Sequence, residues 1–303
     1  MLVLALAACG GSQEEETPEV SEDEASTTVK VVAIGDIACQ PGIAPTPKRC
    51  QHAATSDLVP AAAKNILLLG DNQYSRGELT SYQGSFDQTW GRHMSRLVPV
   101  LGNHEYQTTA ATGYFTYFGE RAGDPAKGYY STDIGRWHVL AINTNDNCRR
   151  IKCDEGSEQL EWVKADLEQH KSKKCTVALF HHPRWSSGEH GDNPRIDALW
   201  RALAAGGVDL VLTGHDHNYE RFAPRNADGA RDDEGGMRSF VVGTGGIGFR
   251  GFNVTTSDHS EIKQNNTFGI LSLSLSASGY SWEFLPIAGT TSTFEDKGRG
   301  RCH

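Results

Sequence analysis

Apolar runs of four to six residues recur along this chain, and each stops abruptly at polar residues. Residues 29–34 end at Gly35-Asp36, 66–69 at Gly70-Asp71 and 97–101 at Gly102-Asn103-His104. Residues 177–180 end at His181-His182, and 210–213 at Gly214-His215. Short unbroken apolar runs predict strands buried on both faces. Amphipathic stretches fall between them. Residues 157–170 carry Leu160, Val163 and Leu167 at helical spacing behind Ser157, a good N-cap. Asn193-Pro194 opens a second helix with Ile196, Leu199, Trp200 and Leu203 as its apolar stripe. Residues 129–133 and 137–142 flank Ile134-Gly135 as a hairpin. A short strand at 240–242 precedes Gly243-Thr244-Gly245-Gly246. Later, 268–275 sets Leu271, Leu273 and Leu275 against serines, and 280–287 follows, reading as antiparallel strands. This pattern predicts an α/β fold in which two mixed β-sheets pack face to face as a sandwich flanked by helices, over residues 29–303.

Charge changes the picture only at the N-terminal end. The formal net charge is −9, and seven of those charges are acids between positions 14 and 24, leaving −2 for the rest. That run reads as a solvated tail. With no basic patch elsewhere, nucleic-acid binding is not expected.

The chain starts with an apolar stretch, MLVLALAA, ending in small residues before Cys9. It is too short to span a bilayer. Leu6-Ala7-Ala8-Cys9 resembles the lipobox of bacterial lipoproteins. That resemblance implies an exported protein, periplasmic or on the cell surface, held to the membrane only through lipid on Cys9. Residues 1–28 would then be signal and flexible acidic tether. The other six cysteines are an even set, as disulfides require in an exported chain. Local spacing favours Cys39–Cys50 and Cys148–Cys153, which leaves Cys175–Cys302 to pin the C-terminal end. A zinc cluster is the rival, but there is no C-x-x-C pair to support it.

The stops after the five strand-like runs carry the chemistry. They supply two Asp, one Asn and several His, all metal-ligand types, at the strand ends where ligands bind in open α/β sheets. In order they read Gly35-Asp36, Gly70-Asp71-Asn72-Gln73-Tyr74, Gly102-Asn103-His104-Glu105, His181-His182-Pro183 and Gly214-His215-Asp216-His217. This series resembles the motifs of the calcineurin-like metallophosphoesterases. Tyr74, three residues after Asp71, resembles the purple acid phosphatase branch, as does the stretch from His181 through Glu189-His190-Gly191. Ala38 departs from relatives with His at that place, and Tyr74 compensates for the missing ligand.

The resemblance implies two metal ions. Asp36, Asp71, Tyr74 and His217 would hold Fe(III). Asp71 would bridge to a divalent ion (Zn, Mn or Fe) completed by Asn103, His181 and His215. At Phe180-His181-His182 the residues alone leave either His available; the resemblance favours His181, which directly follows the strand. A metal-held hydroxide would attack a small phosphate monoester directly, with His104 stabilising the equatorial oxygens and His190 protonating the leaving group. Phosphodiesterases of the same superfamily, acting on cyclic nucleotides or lipid headgroups, share the ligand set; Tyr74 and the His190 region favour monoesters. A non-catalytic surface metal-binding module would be expected to lack ligands, and all seven are present. Three further features stay open here. The Gly243–Gly246 stretch either approaches phosphate or makes a tight turn. Trp185 and Trp137 are candidates for the substrate mouth, with core packing the stronger reading for Trp137. The remaining histidines, His138 and His170 among them, read as surface or packing residues.

Overall fold

The structure, a computed structural model, describes residues 28–289 and 292–303. Cys9 and all but the last residue of the expected signal and tether lie outside the described residues. Among the described residues no helix is long and apolar enough to cross a membrane.

The described residues form thirteen strands in chain order: β1 (Val29–Ile34), β2 (Asn65–Leu68), β3 (Leu97–Pro99), β4 (Tyr130–Ile134), β5 (Trp137–Ala141), β6 (Cys175–Leu179), β7 (Leu210–Thr213), β8 (Tyr219–Phe222), β9 (Arg238–Val242), β10 (Ser260–Gln264), β11 (Gly269–Leu275), β12 (Gly279–Pro286) and β13 (Lys297–Arg301). They form two mixed sheets, ordered β13-β12-β11-β1-β2-β3 and β10-β8-β9-β7-β6-β5-β4. In the first sheet β1, β2 and β3 are parallel, while β11, β12 and β13 join antiparallel. In the second, β5, β6, β7 and β9 are parallel and the edges antiparallel.

The strand period of two explains the layers. Val177 and Leu179 of β6 join the core between the sheets, shared with Val31, Leu68, Leu212 and Leu273. Ala178 and Phe180 point the other way. There they meet Leu160, Val163 and Leu167 of the helix Glu158–Gln169 and Leu199, Trp200 and Leu203 of the helix Asp197–Ala205. Both helices start as their sequences dictate. Ser157 Oγ accepts from Leu160 N–H, and Asn193 caps the turn at Pro194 by accepting from Arg195 N–H. Tyr82, Phe86 and Trp90, spaced by one helical turn, belong to the same core as the two sheets.

All three expected disulfides form: Cys39–Cys50, Cys148–Cys153 and Cys175–Cys302. The last joins the end of the chain to the start of β6. Trp137 is fully buried, with its indole N–H on the Ser276 carbonyl at 2.8 Å. Trp185 packs between Trp200 and the Arg184 and Arg225 guanidinium groups. Both indoles are thus held by packing partners.

Candidate metal centre

The parallel strands of both sheets end along one line, and the backbone ties those ends together. Gly35 N–H donates to the Val242 carbonyl at 2.9 Å, Asp36 N–H to Gly70 at 3.1 Å and Gly214 N–H to His181 at 3.1 Å. Immediately past these ends the chain turns back on itself. Asp36, Asp71 and His215 all adopt left-handed backbone conformations, at φ 60°, 47° and 73°. Such torsions cost about 1 kcal/mol or more for residues bearing a Cβ, and concentrate at functional sites. The preceding glycines make the approach possible. A Cβ on Gly102 would lie 2.2 Å from Asp71 Oδ1, and one on Gly70 would lie 2.7 Å from His181 Nδ1.

Six of the seven expected ligands thereby converge. The Tyr74 hydroxyl lies 2.8 Å from Asp36 Oδ1, 3.0 Å from Asp71 Oδ2 and 3.0 Å from His217 Nε2. His217 Nε2 is 3.4 Å from Asp36 Oδ1. On the other side of Asp71, Oδ2 is 3.2 Å from His181 Nε2, which is 3.2 Å from His215 Nδ1. His181 Nδ1 hydrogen-bonds the Leu69 carbonyl at 2.8 Å, which fixes the ring and turns Nε2 inward. The Asn103 amide oxygen is buried and accepts no hydrogen bond. A buried acceptor without a partner is costly unless a cation completes it.

The electrostatics fit cations as well. Burial pushes the Asp36 carboxyl up to about 7, and the Asp71 charge adds to it. Burial also acts to raise Asp71, but His181 outweighs it and holds Asp71 well below the usual range. His181 is pulled down by burial and raised more by Asp71 and Asp36, to about 9. Burial and neighbouring histidines keep His215 and His182 neutral. Burial, then the Arg250 charge, hold His217 down to about 3. Neutral imidazoles keep the lone pairs a metal needs. Burial and two carboxylates push the Tyr74 phenol far up, so only a strong Lewis acid would displace its proton.

Two acids beside the ligands escaped the sequence reading. Glu105 is fully buried and straps two ligand loops together. Its carboxylate accepts from Asp71, Asn72 and Gly102 N–H groups and from the Tyr82 hydroxyl, at 3.0, 2.8, 2.7 and 3.0 Å. Asp216 points away from the cluster to meet His190 Nδ1 at 2.7 Å and the Ser186 hydroxyl. Burial would raise Asp216, but those hydrogen bonds hold it below the usual range. The only sequence signal for either was an acid inside a ligand motif, which does not say where the acid points.

The His190 ring lies 4.0 Å from the His215 ring. The His104 ring packs tilted against Tyr74 at 4.2 Å, its Nε2 is 3.8 Å from Asp71 Oδ2, and its backbone N–H holds Asp71 Oδ1 at 2.8 Å. His182, the alternative to His181, lies in the same cluster but turns Nδ1 to the Thr144 hydroxyl at 3.1 Å. The geometry thus pairs His181, not His182, with Asp71. Gly243 and Gly245 N–H groups bond the Asn218 and Gly35 carbonyls, so that stretch buttresses Asp36 as a turn. A second cluster, His138, Asp166 and His170, is saturated internally. His138 bridges Asp133 at 3.0 Å and Asp166 at 2.6 Å, and His170 Nδ1 meets its own helix at the Asp166 carbonyl.

Known proteins resemble this chain in sequence and in fold. The calcineurin-like phosphoesterase family profile matches residues 29–219. Purple acid phosphatase 15 of Arabidopsis thaliana is 29% identical over 202 residues, covering 55% of this chain and 37% of that protein. Tartrate-resistant acid phosphatase type 5 of Rattus norvegicus is 27% identical over 235 residues, covering 67% of this chain and 71% of that protein. The purple acid phosphatase PPD1 of yellow lupin superposes with a TM-score of 0.70 at 20% identity, covering 89% of this chain and 53% of the lupin chain. GAP50, described as the anchor in the inner membrane complex of Plasmodium, superposes with a TM-score of 0.63 at 13% identity, over 90% of this chain and 89% of that one. The chain thus spans little more than a third of the length of the first plant relative, but most of the rat one.

Proposed function

This chain belongs to the calcineurin-like phosphoesterase family, and from that premise we propose that it hydrolyses phosphate monoesters at a two-metal centre of the purple acid phosphatase kind. The observation that carries the reading is the meeting of Asp36, Asp71 and His217 atoms at the Tyr74 hydroxyl, 2.8–3.0 Å away, with His181 3.2 Å from Asp71 and His215 3.2 Å from His181. Fold alone would not carry it, since the same fold serves an anchoring protein. Asp36, Asp71, Tyr74 and His217 would hold Fe(III). Asp71, Asn103, His181 and His215 would hold a divalent Zn, Mn or Fe. When bound, such a pair supplies Lewis acidity to the phosphate and to water.

The chain's own residues supply the rest. Asp216, held as a carboxylate, accepts a hydrogen bond from His190 Nδ1–H, which fixes the ring so that Nε2 can hand its proton to the departing oxygen. His104, braced on Tyr74, is placed to donate to a phosphoryl oxygen as negative charge builds. Neutral His182 and His215 pack beside one another with ring centroids 4.4 Å apart.

Metal content together with turnover of p-nitrophenyl phosphate and its bis-ester tests the reading. The monoester should be preferred about ten-fold or more; preference for the bis-ester would make the protein a phosphodiesterase. Protein that takes up no iron, zinc or manganese and turns over neither ester would be a binding module. Tyr74→Phe addresses the iron separately. The substitution removes the phenolate oxygen that gives an Fe(III) site its visible charge-transfer band. Purified Tyr74→Phe protein should therefore be colourless at the wavelength where wild type absorbs, and an unchanged band would rule out the Tyr74–iron assignment.

A further inference from the structure

We infer that Arg250 forms an anion subsite beside the metal-ligand cluster and selects phosphate esters that carry a second negative group, a carboxylate or another phosphate. The inference takes its substrate class from the phosphatase reading above. Arg250 lies in the loop that leaves β9. Its N–H donates to the His217 carbonyl at 3.2 Å, and Asn265 Nδ2 donates to the Arg250 carbonyl at 2.7 Å. The main chain is therefore pinned directly against a ligand residue. The side chain runs toward Glu189, the neighbour of His190, with Nη1 3.7 Å from Glu189 Oε2. The other Glu189 oxygen is taken by Gly251 N–H at 2.8 Å. Arg250 thus links the His190 loop to His217.

The donors of Arg250 are unspent. A guanidinium carries five N–H bonds, and the Glu189 contact at 3.7 Å is beyond hydrogen-bond reach. Nε is buried and has no acceptor, while 37% of the side chain is exposed. Two arginines with carboxylate partners look different. Arg221 places Nε and Nη2 on Asp296 at 2.9 and 3.1 Å and Nη1 on Glu261, and Arg184 lays its fork on Asp197 at 3.3 and 3.2 Å. A fork left open beside a phosphate site suits bidentate capture of a planar carboxylate or a phosphate.

The test compares 3-phosphoglycerate with glycerol 3-phosphate, which differ in a carboxylate against a hydroxymethyl group. Both turnover and calorimetric affinity are measured on metal-loaded full-length protein. Wild type should favour 3-phosphoglycerate. Arg250→Met should lower the ratio of the two kcat/KM values, and of the two affinities, by about ten-fold or more, chiefly through KM. Arg250→Lys should recover part of the ratio, because the charge stays while the fork is lost. A ratio within about two-fold of wild type in Arg250→Met would overturn the subsite; so would equal losses on both esters, which would place Arg250 on the scissile phosphate. If wild type turned over neither ester yet bound 3-phosphoglycerate more tightly through Arg250, the subsite would stand and the phosphatase reading would fall.

Discussion

Asp71→Asn should give a folded chain that binds at most one metal ion and hydrolyses phosphate esters at least about a thousand-fold more slowly than wild type. The size follows from position. Residues that merely orient a metal ligand typically cost 10–100-fold when lost, and Asp71 is the group both proposed metal sets share. Its Oδ2 reaches the Tyr74 hydroxyl at 3.0 Å and His181 Nε2 at 3.2 Å, so the two sets meet on that one atom. The fold should survive. Asparagine keeps an oxygen for the His104 N–H, now 2.8 Å from Asp71 Oδ1, and its amide can hydrogen-bond the tyrosine oxygen. Losing a buried charge also relieves Asp36, which burial and Asp71 together push up to about 7. His181, which Asp71 helps raise to about 9, loses its buried partner at the same time, so the thermal midpoint in chelator should stay level or fall. The upward shift that added metal produces in wild type should shrink, because that shift grows with metal affinity. Elemental analysis and melting curves with and without metal check this. Wild-type metal content with a wild-type rate would remove Asp71 from the centre.

The part of this site that could be read from the chain is the part built from local rules. A buried strand reads as an apolar run, its end as a glycine, and a ligand stands just beyond, as at Gly70-Asp71 and Gly102-Asn103. The helix over Glu158–Gln169 was legible for the same reason, through its cap and stripe. What escaped depends on residues distant in sequence. Glu105 acquires its role from N–H groups 32 to 34 residues earlier. Asp216 looks like a spacer between two ligands until the left-handed turn at His215 sends it toward His190. Strand β13 has no strand-like composition. Its Gly298 and Gly300 leave room for the Trp282 and Tyr280 rings, which a Cβ would approach to 2.4 Å, so pairing with β12 makes it a strand. The segment bearing Tyr82, Phe86 and Trp90 did carry a four-residue apolar spacing, but glycine and serine between them blur it.

His190→Ala should separate substrates by their leaving groups. General acid catalysis contributes roughly 10²–10⁴-fold where the departing oxygen needs a proton, and an alkoxide needs one far more than p-nitrophenolate does. Glycerol phosphate turnover should therefore fall about a hundred-fold or more, while p-nitrophenyl phosphate turnover should fall only several-fold. The geometry makes the assignment specific. His190 is held through Nδ1 by Asp216 at 2.7 Å, and Asp216 is fixed in turn by the Ser186 hydroxyl. Its ring lies over His215 at 4.0 Å, on the side of the proposed divalent ligands. His104, by contrast, packs tilted against Tyr74 at 4.2 Å, on the side of the proposed iron ligands. Two imidazoles on opposite sides of the cluster cannot both serve the leaving oxygen. A set of aryl and alkyl phosphates would show a steeper dependence of log kcat on leaving-group pKa for His190→Ala than for wild type, and Asp216→Asn should lie between them, since it keeps the imidazole but weakens its hold. A parallel line for His190→Ala, with equal losses across the series, would mean that His190 only shapes the site and that the proton comes from elsewhere.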